Sequence, residues 1–221
     1  LLTYWSFGLT QAGLKAALLA SALLVLLFTD LELQKLPDAI TLPGFVVGLL
    51  LALWIPVQDG SAKGLAGFLG LHMPPLAVSF TDALIGALFG AGFLILARQL
   101  YFWLRRREGL GLGDVKMMAM LGAFLGLKQV ILIVFFSSLA GSIFSIPMFF
   151  MILVRFLVDP RQKTVWRRFS NSRKKPISRV RLSIVKVGRT PIPYGVFLAL
   201  AALVAIFWGR PLVKAYLGLF R

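Results

Sequence analysis

The chain contains long apolar runs separated by short polar breaks. Several runs reach the roughly 20 residues that an α-helix needs to cross the hydrocarbon core of a bilayer. Hydrophobic residues make up 59% of the 221 residues and charged residues only 14%, whereas soluble domains carry about 25% charged residues. The chain is therefore predicted to be an all-α, multi-pass integral membrane protein, with residues 1–221 forming a single membrane domain.

The apolar runs predict about six transmembrane helices. They cover approximately residues 11–28, 40–57, 82–104, 114–127, 130–157 and 193–208. The glycine- and proline-containing residues 58–80 are predicted to form an irregular loop. Residues 212–220 are predicted to form a short interfacial helix. Gly86 and Gly90 have the spacing that lets two membrane helices approach closely.

Basic residues are concentrated in two places, which predicts the orientation. Twelve of the 24 Lys and Arg residues lie between Arg155 and Arg189, and Arg105–Arg107 form a second cluster. Basic loops of membrane proteins mark the cytoplasmic side, so we interpret the net charge of +16 in this way and expect no nucleic acid partner. The basic stretch, about residues 158–190, is predicted to be a cytoplasmic loop insertion. It is either simply solvated or in contact with anionic membrane lipid.

The chain has no cysteine and a single histidine, His72. Disulfides and cysteine-ligated zinc are therefore excluded for these residues, and a site built on several histidines is not expected. No metal is predicted.

The eight acidic residues are unevenly distributed. Asp59 and Asp159 are expected to be solvated loop charges, and Asp82 is expected to cap the start of its own helix. The other five lie at the predicted cytoplasmic edge: Asp30, Glu32, Asp38, Glu108 and Asp114. Because carboxylates at membrane depth are costly, such a cluster is typical of a functional site.

Asp30 and Asp114 are the two acids that end or begin predicted spans. Taken singly, Asp114 has the alternative interpretation of a helix N-cap, and Asp30 that of an interfacial charge at a helix end. Taken together, the predicted orientations place both carboxyl groups at the same depth. Two facing carboxyl groups that share one proton can activate water against an amide, one as general base and the other as proton donor. Helix dipoles favour Asp114 as the ionised partner and Asp30 as the donor.

Three ordered segments resemble the motifs of bacterial type IV prepilin peptidases, which are intramembrane aspartyl proteases with a G-x-G-D signature. Residues 28–38, FTDLELQKLPD, resemble the first aspartate motif. Residues 107–116, REGLGLGDVK, contain the G-x-G-D signature at Gly111–Asp114. Residues 190–195, TPIPYG, resemble the segment that opens the last span of that family.

The resemblance implies an inner-membrane endopeptidase that removes the leader of prepilins or pseudopilins, as in type IV pilus and type II secretion systems. Cleavage is expected at the cytoplasmic face, without a cofactor, after a glycine that precedes the apolar helix of the substrate. The catalytic aspartates of the family map onto Asp30 and Asp114. The supporting residues are expected to be Asp38, Glu108, Gly111, Gly113 and Lys116. Lys116 has three possible roles, which are to lower a carboxyl pKa, to bind an acidic substrate residue, or to act as an ordinary anchor.

Two other functions are open at this point. A transporter could use carboxylates as a proton or cation relay. That function would predict acidic residues at the middle of the bilayer and interrupted helices at matching positions in the two halves of the chain, whereas here the acids cluster at one edge. A non-catalytic scaffold for pilus assembly would need no aspartate pair.

Overall fold

The computed structural model describes residues 3, 8, 10–34, 36–57, 59–70, 74–106, 111–158 and 194–218. Within them the secondary structure is helical, and no strand is found. The helices are α1 (Gln11–Leu33), α2 (Asp38–Trp54), α3 (Ser61–Leu69), α4 (Pro75–Arg105), α5 (Leu112–Leu125), α6 (Leu127–Val158) and α7 (Tyr194–Gly218).

In the part of the chain that the structure describes, three helices are long and apolar enough to cross a membrane, namely α1, α4 and the first part of α6. The apolar segments Asp38–Trp54 and Tyr194–Gly209 are shorter. Large side chains such as Trp54, Phe68 and Trp103 are at least 81% exposed, which suits contact with lipid rather than water. The prediction of an all-α integral membrane protein is confirmed.

Two of the predicted boundaries are wrong. Residues 58–80 are not an irregular loop, because α3 lies between two glycines in the left-handed conformation, Gly60 and Gly70. In addition, α4 begins at Pro75, where a proline fits the first turn of a helix. As far as the structure describes it, the chain after Trp208 does not form a separate interfacial helix, because α7 continues through Pro211 to Gly218.

The chain divides into two compact units. Residues 1–138 and 193–221 form the first, and residues 139–192 form the second, whose described part is the remainder of α6. In the first unit α5 is the central helix, and it packs against α2, α4 and α7. Nine of its 14 residues are buried. A helix that is buried nearly all round suits a central position in a bundle.

Close backbone contact joins α4 and α5. A Cβ atom on Gly86 would lie 2.7 Å from the carbonyl oxygen of Gly122, and one on Gly90 would lie 2.7 Å from Met118 Cγ. Both helices can therefore approach only because these positions are glycine, as the spacing of Gly86 and Gly90 predicted.

The structure corrects the predictions for Asp59, which is buried rather than solvated, and for Asp82, which does not cap its own helix. Asp59 accepts hydrogen bonds from the backbone N–H groups of Leu127 and Lys128 and so caps the start of α6. Asp82 lies inside α4 and caps α3 instead, accepting from the N–H of Ala62 at 2.6 Å. Each aspartate accepts hydrogen bonds from backbone N–H groups at a helix N-terminus, which have no partner within the helix. In both cases the capped helix begins far from the aspartate in the sequence.

Candidate active site

Asp30 and Asp114 are delivered by two different helices. Asp30 lies in the last turn of α1, and Asp114 is the third residue of α5. Their exposed fractions are only 5% and 8%. Buried carboxyl groups in an apolar bundle are costly and need a specific environment.

Gly195, the second residue of α7, lies against both carboxyl groups. A Cβ atom on Gly195 would be 2.6 Å from Asp30 Oδ2 and 3.1 Å from Asp114 Oδ1. Because both distances are measured from the same point, Asp30 Oδ2 and Asp114 Oδ1 must lie close to each other. The structure thus brings Asp30 and Asp114 together at the start of a third helix.

Backbone donors orient the two side chains. The N–H of Val196, in the first turn of α7, donates to Asp30, and the N–H of Gly111 donates to Asp114. Oδ2 of Asp30, the oxygen nearest Gly195, is buried and has no hydrogen-bond partner among the described residues. Each aspartate is therefore held by a helix N-terminus while one of its oxygens faces the other carboxyl group.

Asp114 is not the N-cap of α5, so that interpretation is wrong. Gly111 occupies the N-cap position and has no side chain with which to cap. Asp114 stands three residues later, where an acidic side chain reaches back to the N-cap N–H as in one half of a capping box. Oδ1 of Asp114 is the oxygen that lies beside Gly195, where Asp30 Oδ2 also lies.

Of the two glycines of the G-x-G-D signature, Gly113 makes room for a neighbouring segment of the chain. A Cβ atom on Gly113 would lie 2.9 Å from Cβ of Leu36, in the segment that joins α1 to α2. Gly113 therefore allows this segment to pack against the start of α5. Gly111 has an ordinary extended φ of −72°, so its position does not demand glycine for conformational reasons.

Lys116 forms an ion pair with Asp38, with Nζ 2.7 Å from Oδ2. The side chains are 34% and 57% exposed, and pairs at such positions contribute about 0–1 kcal/mol. The two supporting residues thus contact each other at the rim of the site, joining α2 to α5. Glu108 lies outside the described residues.

Tyr194 and Ser137 add a hydrogen-bonded pair that the sequence did not single out. Their hydroxyl oxygens are 3.0 Å apart, and Ser137 is fully buried in α6. Tyr194 immediately precedes Gly195, and its hydroxyl is close enough to Asp114 for an electrostatic interaction. The only signal in the sequence was the position of Tyr194 within the third motif.

The fold and this pair of buried carboxyl groups define the class, an α-helical integral membrane protein with a two-aspartate site. Within the described residues, no group of three or more His, Cys, Asp or Glu side chains could hold a metal ion. The proximity of Asp30 and Asp114 beside Gly195 suits acid–base chemistry, because two carboxyl groups cannot both ionise easily at close range.

Comparison with known proteins gives the family. Residues 17–146 match the type IV leader peptidase family. The chain is 32% identical over 213 residues to a prepilin leader peptidase/N-methyltransferase of Xanthomonas campestris, covering 96% of this chain and 56% of that protein. It is 31% identical over 217 residues to the protein of the same description from Pseudomonas aeruginosa, with coverages of 96% and 56%. The chain belongs to the type IV leader peptidase family.

The chain spans about half the length of the curated relatives that it matches. No solved structure matches it. The resemblance inferred from the three motifs is confirmed, and the comparisons give no support to the transporter alternative.

Proposed function

We propose that this chain is an intramembrane aspartyl endopeptidase that removes the leader peptide of type IV prepilins or pseudopilins. The observation that carries the proposal is the convergence of the Asp30 and Asp114 carboxyl groups beside Gly195. The relatives of this chain are described as prepilin leader peptidases, which supports the choice of substrate.

Peptide hydrolysis would proceed by acid–base catalysis between the two carboxyl groups. Asp114, at the N-terminus of α5, takes a proton from water as the water oxygen attacks the scissile carbonyl carbon. Asp30, at the C-terminus of α1, donates its proton to the carbonyl oxygen. The C–N bond then breaks as Asp114 passes its proton to the leaving amine, and Asp30 takes back a proton from a hydroxyl of the tetrahedral intermediate as the C=O bond of the product acid forms. The pair thus returns to its starting state with one proton.

The position of the site suits a substrate that is itself a membrane helix. The helix α4 packs antiparallel to α5 and therefore ends, at the basic Arg106, on the same side of the bundle as Asp114. We place this side at the cytoplasmic face of the bacterial inner membrane. The scissile bond of a prepilin precedes an apolar helix, which would remain in the bilayer while the leader lies in the cytoplasm. The exposed carboxylates Glu32 and Asp38 at the same end would favour a basic leader.

The proposal is tested by the activity of the purified chain in nanodiscs. A prepilin carrying its leader is incubated with the chain, and the products are identified by mass spectrometry. We expect a single cut, directly after the glycine that precedes the apolar helix. A prepilin that stays intact, or one that is cut elsewhere, would contradict the proposed function.

A further inference from the structure

A cavity lies at the opposite end of α1 from the two aspartates. It has a volume of about 630 Å³, within the range of ligand sites in proteins. Its lining includes Thr10 and Lys15 at the start of α1, whereas Asp30 is in the last turn of this helix. The ends of α2 and α5, the start of α6 and the second half of α7 complete the wall. The cavity is therefore separate from the candidate active site.

The charged part of the lining is basic on balance. It contains two lysines, Lys15 and Lys128, and one acid, Asp59. The carboxylate of Asp59 already accepts hydrogen bonds from the backbone N–H groups of Leu127 and Lys128, at 3.0 Å and 3.1 Å. The negative charge of Asp59 is thus turned towards the start of α6, which leaves the cavity with an excess of positive charge.

Both ammonium groups donate to backbone carbonyls at the cavity wall. Lys15 donates to Ile55, just after the end of α2, at 3.5 Å, and Lys128 donates to Asp59. A carbonyl contact leaves the positive charge of a lysine in place, so both ammonium groups still attract an anion that enters the cavity. Lys15 is only 9% exposed although it lies in a membrane helix, where a buried charge indicates a functional requirement.

The rest of the lining is apolar. Leu19, Phe124, Ala205 and Ile206 form part of the wall on the side of the bundle core. A site that combines two ammonium groups with an apolar wall at the end of a membrane bundle fits an amphiphile with an anionic head. The bilayer itself supplies such molecules. We propose that the cavity binds one anionic phospholipid, with its phosphate between Lys15 and Lys128 and the upper part of an acyl chain against the apolar wall.

The proposal does not depend on peptidase activity and is tested by lipid binding alone. The purified chain is titrated with phosphatidylglycerol or phosphatidylcholine in detergent, and bound lipid is counted by native mass spectrometry. We expect one phosphatidylglycerol to bind preferentially. The double variant Lys15→Met/Lys128→Met should bind it about 30-fold more weakly, because each basic residue contributes on the order of 1 kcal/mol to anionic lipid binding.

Two further variants test whether the loss of lipid binding comes from the lysines that line the cavity. Lys63→Met removes an exposed lysine of α3 that does not line the cavity, and it should bind like the unmodified chain. Lys128→Met alone changes an exposed side chain and should weaken binding several-fold even if the double variant does not fold. Equal binding of the two lipids, or no loss in the lysine variants, would overturn the proposal. Displacement of phosphatidylglycerol by millimolar inorganic phosphate would assign the site to free phosphate instead.

Discussion

Leader cleavage is expected to be lost when either Asp30 or Asp114 is replaced by asparagine. Asparagine keeps the size and shape of the side chain but can neither accept the proton of water nor donate a carboxyl proton. Loss of one member of an acid–base pair costs on the order of 10²–10⁴-fold in rate. The rate of cleavage of a purified prepilin by each purified variant in nanodiscs measures the effect.

The double variant Asp30→Asn/Asp114→Asn supplies a second check. Residues that act as one catalytic unit are non-additive, so the double variant should be no less active than either single variant. Glu32→Gln is the matched control, since it neutralises an exposed carboxylate on α1 two residues from Asp30. The rates are compared at saturating prepilin, where a contribution of Glu32 to leader binding would change KM and not kcat. Cleavage at the normal rate by Asp30→Asn or Asp114→Asn would remove both aspartates from the mechanism.

Gly195→Ala is expected to reduce cleavage strongly without unfolding the protein. The added Cβ atom would lie 2.6 Å from Asp30 Oδ2, which is closer than real Cβ contacts come. One or both carboxyl groups must therefore move, and a displacement of about 1 Å in a catalytic group can cost on the order of 100-fold in rate. Alanine is also the better helix former, so helix propensity does not oppose the substitution in α7.

The control for this variant is Gly92→Ala. Gly92 is an exposed residue of α4, and a Cβ atom there would meet nothing within 4 Å. Both variants are compared for kcat and for thermal unfolding in detergent. If Gly195→Ala cleaved at the normal rate, the contact of Gly195 with the aspartates would be irrelevant to catalysis.

Hydropathy and local motifs were sufficient to predict the class of fold and the aspartate pair. The apolar runs gave helices close to their observed positions, because crossing a bilayer imposes a length on each run. Asp30 and Asp114 stood out because both lie where an apolar run ends or begins. These features depend on residues that are near each other in the sequence.

The errors concern contacts between distant segments. Asp59 looked like a solvated loop residue, but it caps α6 at residues 127 and 128, and this contact exists only in the folded bundle. Asp82 was expected to cap its own helix and instead caps α3. Helix ends impose a requirement for hydrogen-bond acceptors, but the sequence does not say which side chain will supply them.

The role of Gly195 could not be inferred from the sequence for the same reason. It depends on the meeting of three helices, with α1 and α5 supplying the carboxyl groups and α7 supplying the surface between them. The contact of Lys116 with Asp38 likewise joins residues from α5 and α2. Lys116 had three possible roles in the sequence, and the structure shows it in an ion pair at the rim of the site.

The proximity of Asp30 and Asp114 is the claim on which the account depends, and the absence of cysteine from the chain makes it directly measurable. The variant Asp30→Cys/Asp114→Cys is treated in membranes with a short bis-methanethiosulfonate reagent, and the product is mapped by mass spectrometry. We predict an intramolecular cross-link between α1 and α5, and none in Asp82→Cys/Asp114→Cys, whose residues lie at opposite ends of the packed helices α4 and α5. Failure of the first pair to cross-link, although each cysteine reacts singly with the reagent, would contradict the account.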